Sequence, residues 1–264
     1  MIPIIAIEGP DGVGKTTVVN KVMELLTQKG INVKYKHFPE YAEPSGQLIQ
    51  KCLFGGIGDF KLLNPAIQHQ MYAIDRMMFF KNLPVEYQDA FIITDRYTSS
   101  SIVYQTVNLY RQAIRFEDPA PYCEGEFEET WSHPRRFEWH AIASFWERRN
   151  MAGIYGTNLY SFAEKMYKLE EEAYDIPPAT LQFYLTLPTF EEIYDRLEKR
   201  DGDPKLDNFE EDRGFQRMIY DAGKACAKSF EWLTYYARDD AAGRIFEYIM
   251  NTMDIGDERY WLNK

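Results

Sequence analysis

The segment Gly9-Pro10-Asp11-Gly12-Val13-Gly14-Lys15-Thr16 constrains this 264-residue chain more than any other. It satisfies the pattern G-x-x-x-x-G-K-[ST], and its flanks are the ones that pattern needs. Upstream, Ile4-Ile5-Ala6-Ile7 is a short apolar run with branched residues, which reads as a buried strand. Downstream, Val18, Val19, Val22, Leu25 and Leu26 recur at helical spacing until Gly30 stops the helix. Strand, glycine loop and helix in that order make a cradle for phosphate. Backbone N–H groups turn toward the anion, and the helix N-terminus adds a favourable field. Lys15 supplies a point charge for the β- and γ-phosphates, and the Thr16 hydroxyl a ligand for Mg²⁺. Gly9, Gly12, Val13, Gly14, Lys15, Thr16 and Thr17 are therefore candidate ATP contacts.

The rest of the chain alternates in the same rhythm. Strands are expected at Ile31 to Phe38, Ala90 to Thr94, Leu181 to Leu187 and Trp232 to Ala237. Between them, helices are expected at Pro65 to Asn82, Asn158 to Tyr174, Thr189 to Arg200 and Gly214 to Phe230, with a last one from Ala241 to Met253. This alternation implies an α/β fold with a parallel five-stranded sheet and helices on both faces. One stretch breaks the rhythm. Residues 106 to 157 hold Pro119, Trp131, Pro134, Trp139 and Trp146 among many charges, with no convincing buried strand. Because linkers are poor in aromatics, it reads as an inserted, mostly helical excursion within one domain spanning 1–264.

The net charge of −11, with no Lys/Arg run longer than two residues, argues against long nucleic acid and membrane surfaces as partners. A free nucleotide needs only a few placed cations. Three scattered cysteines, Cys52, Cys123 and Cys226, suggest reduced thiols. With the first strand so early no leader is expected, and no apolar run approaches the ~20 residues of a membrane span. A soluble, cytoplasmic protein is expected. Cys123, His133 and His140 share one stretch, but their spacing matches no standard zinc pattern.

Two other features bear on chemistry. Asp95-Arg96 ends an apolar strand, where open α/β sheets bind ligands. There Asp95 can hold Mg²⁺ directly or through water, and Arg96 can fork onto phosphate oxygens. A plain surface ion pair fits that position as well. Arg76 lies on a largely apolar helix and needs a partner, since an unpaired buried charge is costly.

These residues resemble the thymidylate kinase family. Ile5 to Thr17 is similar to that family's first strand and loop, including the acidic Asp11. Phe38-Pro39-Glu40 with Gly46-Gln47-Leu48-Ile49 resembles its second block, and Tyr72 to Arg76 its aromatic-x-x-x-Arg pair. Asp95-Arg96-Tyr97-Thr98-Ser99-Ser100-Ser101-Ile102-Val103-Tyr104-Gln105 is close to its D-R-Y-x-x-S-x-x-A-Y-Q signature. Leu181 to Arg200 looks like its late strand and the helix entering a lid at about 196–213. The resemblance covers roughly residues 1–105 and 158–255.

The resemblance implies a three-layer P-loop kinase fold and a deoxynucleoside monophosphate kinase using ATP with Mg²⁺, acting on dTMP or a related pyrimidine as a homodimer. Lys15, Asp11 and Arg96 would be catalytic, and Thr16 and Asp95 would hold the metal. Asp11 would face the sugar 3′-hydroxyl or the moving phosphoryl group, and Arg96 would clamp the acceptor phosphate. Tyr72 would stack on the base with Arg76 at its edge, Ser100 and Gln105 would read the pyrimidine, and Tyr104 would exclude a 2′-hydroxyl. Pro39 completes the acceptor contacts, and Arg200 is expected beside ATP.

Three departures from the family pattern matter. Tyr41 stands where relatives with Phe-Pro-x-Arg carry an arginine. Gly12 brings no charge into the loop, so a lid cation is expected, with Arg200, Lys205 and Arg213 as candidates. The usual Asp-Arg pair of the lid reads Asp207-Asn208. A kinase for deoxynucleosides or modified pyrimidines, and a non-catalytic phosphate-loop binding module, stay open beside the leading reading.

Overall fold

The computed structural model describes residues 2–56, 60–117, 159–199, 212–238 and 240–253. Five parallel strands form one sheet: β1 (Ile4–Glu8), β2 (Val33–His37), β3 (Phe91–Asp95), β4 (Leu181–Thr186) and β5 (Leu233–Tyr236), in the order β2-β3-β1-β4-β5. Every residue of β1 and β3 is buried, as continuous apolar runs covered on both faces should be. The edge strands differ. In β5 half-buried and exposed residues alternate, and β2 buries only Lys36. The expected strand from Ile31 to Phe38 is shorter at both ends. Ile31 bonds back to the preceding helix through Leu26, and Phe38 already leaves the ladder.

Helices cover both faces. On one, α1 (Lys15–Gln28) packs against the sheet and the final helix, Ala241–Thr252; Val18, Val19, Val22 and Leu26 meet Ile245 and Ile249 in a shared core with β1, β3 and β4. The other carries α2 (Pro44–Leu53), α3 (Pro65–Lys81) and, after the short α4 (Val85–Gln88), α5 (Thr98–Glu117). Then come α6 (Leu159–Lys168), a π-helical turn (Leu169–Ala173), α7 (Phe190–Glu198) and α8 (Arg213–Ser229). Cys52 and Cys226 are free thiols buried in this second layer.

The excursion expected from residue 106 does not leave the core there. Residues 106–117 continue α5, with Val107 and Leu109 buried, because its apolar spacing carries on past Gln105. The rest of that segment, Cys123, His133 and His140 included, lies outside the described residues. So do Arg200, Lys205 and Asp207-Asn208 of the expected lid.

One backbone approach fixes the rim of the molecule above β2. Asp75 on α3 accepts from the Glu40 amide at 2.9 Å and the Ser45 hydroxyl at 2.6 Å, drawing the 38–46 turn onto the helix. Gly46 is buried against that turn, and a Cβ there would overlap the Glu40 carbonyl and lie 2.8 Å from the Tyr41 nitrogen. Backbone cannot yield cheaply. Gly46→Ala is expected to lower stability by about 1–3 kcal/mol, read as a lower midpoint in urea denaturation.

Candidate active site

The carboxyl ends of β1, β2 and β3 open into a cavity of about 720 Å³. Its position follows from strand register. Parallel pairing sets Ile7 beside Asp95, and Asp95 beside His37, so the segments after all three strands emerge together. The cavity wall includes Asp11, Gly12, Gly14, Lys15, Thr16 and Thr17 of the loop, and Pro39 and Tyr41 of the β2 turn. Tyr72 and Arg76 of α3, and Asp95, Arg96, Ser100, Tyr104 and Gln105 of the β3–α5 segment, complete the walls. Of the expected site residues, Gly9 and Val13 lie behind this surface. Val13 is fully buried in the core, and the Gly9 carbonyl accepts from Lys15 Nζ at 2.9 Å.

The loop enters α1 through Gly14, which is left-handed at φ 101°; no side chain caps the helix and its first turn holds no acidic residue. Its N-terminal amides thus remain available to an anion. Lys15 is nearly buried, with its ammonium on the Gly9 and Pro10 carbonyls and 3.5 Å from Asp11. Thr16 and Thr17 are exposed to the opening.

Asp11 is the hub where loop and β3–α5 segment meet. It pairs with Arg96 and with Lys15, and Tyr104 donates its hydroxyl to the second carboxylate oxygen at 2.6 Å. Burial, and then the charge of Asp11, push the Tyr104 hydroxyl well above the ordinary phenol range, so it stays a donor. The Arg96 guanidinium also lies 5.6 Å from the Tyr104 ring centre. Arg96 holds φ 68°, a left-handed backbone that a long side chain adopts at a cost of about 1–3 kcal/mol and that turns it back toward the loop.

Asp95 is buried, and its Oδ1 has no hydrogen-bond partner. A desolvated carboxylate oxygen without a donor is costly, and a cation relieves it. With the exposed Thr16 hydroxyl in the same cavity, this donor set suits Mg²⁺, which takes few protein ligands and completes its shell with phosphate and water oxygens. Among the described residues no cluster of three metal-ligating side chains exists, so an all-protein metal cage is not formed there.

Several of the expected site residues are engaged within the protein. Ser100 lines the cavity, but its hydroxyl and amide both serve Glu8, the last residue of β1. Glu8 is buried and also accepts from the Tyr97 amide at 2.6 Å and the Ser99 hydroxyl at 2.7 Å. It is a brace that ties β1 to the start of α5. Arg76 lines the cavity too, yet its Nε and Nη2 are engaged by Glu170 and Ser101. Gln105 accepts from Asn108 at 3.2 Å. Arg213 stacks over Tyr194 at 4.8 Å and lies away from the cavity.

Among the described residues, Arg196 near the end of α7 brings a cation beside the loop. It lines the cavity, donates to the Val13 carbonyl at 3.1 Å, and would lie 3.7 Å from a Cβ at Gly14. The same helix accounts for Gly12. A Cβ at that position would stand 2.7 Å from the Ile193 carbonyl and 3.0 Å from Leu197, so a basic side chain cannot occupy it. Arg196 stands at the start of the expected lid but was not singled out among its candidate cations. Glu8 and Glu170 gave less signal, since their partners lie some 70–95 residues away.

Comparison with known proteins agrees with this geometry. Residues 7–118 match the family model described as thymidylate kinase. The matched span contains the loop, the β2 turn, the α3 pair and the whole β3–α5 block. Over residues 7–118 the chain is similar to the thymidylate kinase family. A probable thymidylate kinase of Sulfurisphaera tokodaii is 35% identical over 103 residues, which cover 39% of this chain and 49% of that protein. A thymidylate kinase of Prochlorococcus marinus is 30% identical over 134 residues, covering 47% of this chain and 62% of that one. The chain therefore spans about half to three-fifths of the length of these curated relatives. The solved thymidylate kinase of Candida albicans superposes with a TM-score of 0.56 over all of this chain and 96% of its own, at 20% identity. That likeness carries the five-stranded parallel fold of the family.

Proposed function

We propose that the chain is a nucleoside monophosphate kinase that transfers the γ-phosphoryl group of ATP to a deoxynucleoside monophosphate, dTMP or a related pyrimidine. The observation that carries this reading is the single cavity in which the phosphate loop and the Asp95-Arg96-Tyr97 block face each other through Asp11, Arg96 and Tyr104. A triphosphate on the loop would exchange the neutral carbonyls around Lys15 for charged oxygens. Thr16 and Asp95 would hold Mg²⁺, which would neutralise charge developing on the transferring phosphoryl group. Arg196 approaches the loop from α7 and supplies the cation that Gly12 does not. Across the junction, Arg96 grips the acceptor phosphate and brings its oxygen in line, and Asp11 takes the sugar hydroxyl. Catalysis is positioning and charge neutralisation, with no covalent intermediate.

A second acceptor class has one specific observation in its favour. Tyr41, not an arginine, lines the acceptor side of the cavity, which suits an unphosphorylated deoxynucleoside. Arg96 favours the phosphorylated one. An ADP-release assay across nucleosides and monophosphates separates them. Turnover is expected with pyrimidine deoxynucleoside monophosphates, falling at least about 100-fold in Lys15→Ala and in Arg96→Ala. Turnover of nucleosides alone would overturn the leading reading, and ATP binding without acceptor-dependent turnover would favour a binding module.

A cytoplasmic homodimer fits the same picture. Ile67, Ile74 and Met78 form an exposed apolar stripe along α3, the kind of face a second copy covers. No described helix is long and apolar enough to cross a membrane. Light scattering at micromolar concentration should give twice the 31.1 kDa chain mass; a monomer there would refute the dimer.

A further inference from the structure

The largest fully buried side chain among the described residues is Arg76, and what holds it is a carboxylate 94 residues away along the chain. Glu170 sits in the π-helical turn after α6, 1% exposed. Its Oε2 accepts from Arg76 Nε at 2.9 Å and from the Thr98 hydroxyl at 2.7 Å. Its Oε1 accepts from Arg76 Nη2 and lies 2.9 Å from His69 Nε2. Ser101 accepts from the same Nη2 at 3.1 Å. Burial alone would raise the Glu170 carboxyl, but Arg76 and His69 outweigh it and bring it to about 2, so the pair stays ionised.

This arrangement costs desolvation of two charges, and replacing such pairs with apolar residues is often neutral or better for stability. Stability is therefore a weak reason for it. Direction is a stronger one. The bidentate edge of the Arg76 fork, Nε with Nη2, is spent on Glu170, and the charge is cancelled locally. What Arg76 keeps for the cavity it lines is Nη1, with two N–H donors held in a fixed plane, not a mobile cation able to grip phosphate. An oriented neutral-like donor prefers a carbonyl oxygen over an amino group.

We propose that Glu170 is a positioning residue for acceptor selection: by fixing Arg76 through its Nε/Nη2 edge, it makes the cavity discriminate a pyrimidine bearing a 4-carbonyl from one bearing a 4-amino group. His69 and Thr98 are its supports, since each contacts a different carboxylate oxygen. The inference rests on the acceptor-site reading of this cavity. The π turn has a role in it, because it is the element that carries Glu170 inward, with the Glu170 carbonyl accepting from Ile176 at 3.0 Å to close the turn.

The test is calorimetric titration of the full chain with dTMP and with dCMP, so that it does not depend on turnover. The wild type should prefer dTMP at least about tenfold. Glu170→Gln keeps the shape but turns an N–H₂ toward the fork, so Arg76 loses its orientation. Affinity for dTMP should then fall about tenfold, with dCMP and ATP changing by less than about threefold, and Glu170→Asp should recover part of the preference. If Glu170→Gln fails to fold, Thr98→Val removes one support and should reduce the dTMP preference about threefold. A wild type without preference, an unchanged preference in the variants, or equal weakening of dTMP, dCMP and ATP would each overturn the proposal. Failure of the kinase reading shows separately, as monophosphates that bind without being phosphorylated.

Discussion

The parallel pairing of β1 with β3 is the constraint on which the rest of this structure depends. Both strands are fully buried, and their register places Ile7 opposite Asp95. Whatever follows β1 must therefore emerge beside whatever follows β3. Here those segments are the phosphate loop and the Asp-Arg-Tyr turn, one anion-seeking through backbone amides and the other through a guanidinium. Glu8 fastens them from behind, accepting from Tyr97, Ser99 and Ser100, and Asp11 fastens them from the front, through Arg96 and Tyr104. The site is held by two carboxylates, one on each side of the loop.

Three cations of the cavity are engaged within the protein. Lys15 rests on loop carbonyls, Arg96 on Asp11 and Arg76 on Glu170. A phosphorylated ligand competes for Lys15 and Arg96, whose partners are neutral carbonyls or a shared carboxylate. It competes poorly for Arg76, whose partner is bidentate and buried. On the proposed reading, this difference in pairing is what would make Arg96 a phosphate contact and Arg76 a base contact.

Much of this was legible in the sequence, for physical reasons that differ by element. Strands β1 and β3 announced themselves because burial on both faces demands an unbroken apolar run. The loop did so because only glycines permit its backbone, and α3 and α8 were close to their expected limits. What stayed hidden was set by contacts distant along the chain. Nothing in the spacing around Ser100 says that Glu8, about ninety residues away, uses both its amide and its hydroxyl. Nothing around Arg196 says that α7 passes so close to Gly12 that a side chain there is excluded. α5 continues to Glu117 without a break, and helical periodicity alone does not mark where a helix leaves its core.

The central claim is that donor and acceptor share one cavity across Asp11. A dinucleotide joining adenosine and thymidine through five phosphates spans both halves and tests it in one titration. The account predicts one equivalent bound per chain, at least about 100-fold tighter than either ATP or dTMP alone, and displaced competitively by each of them. Displacement by ATP but not by dTMP, with affinity no better than ATP, would contradict it.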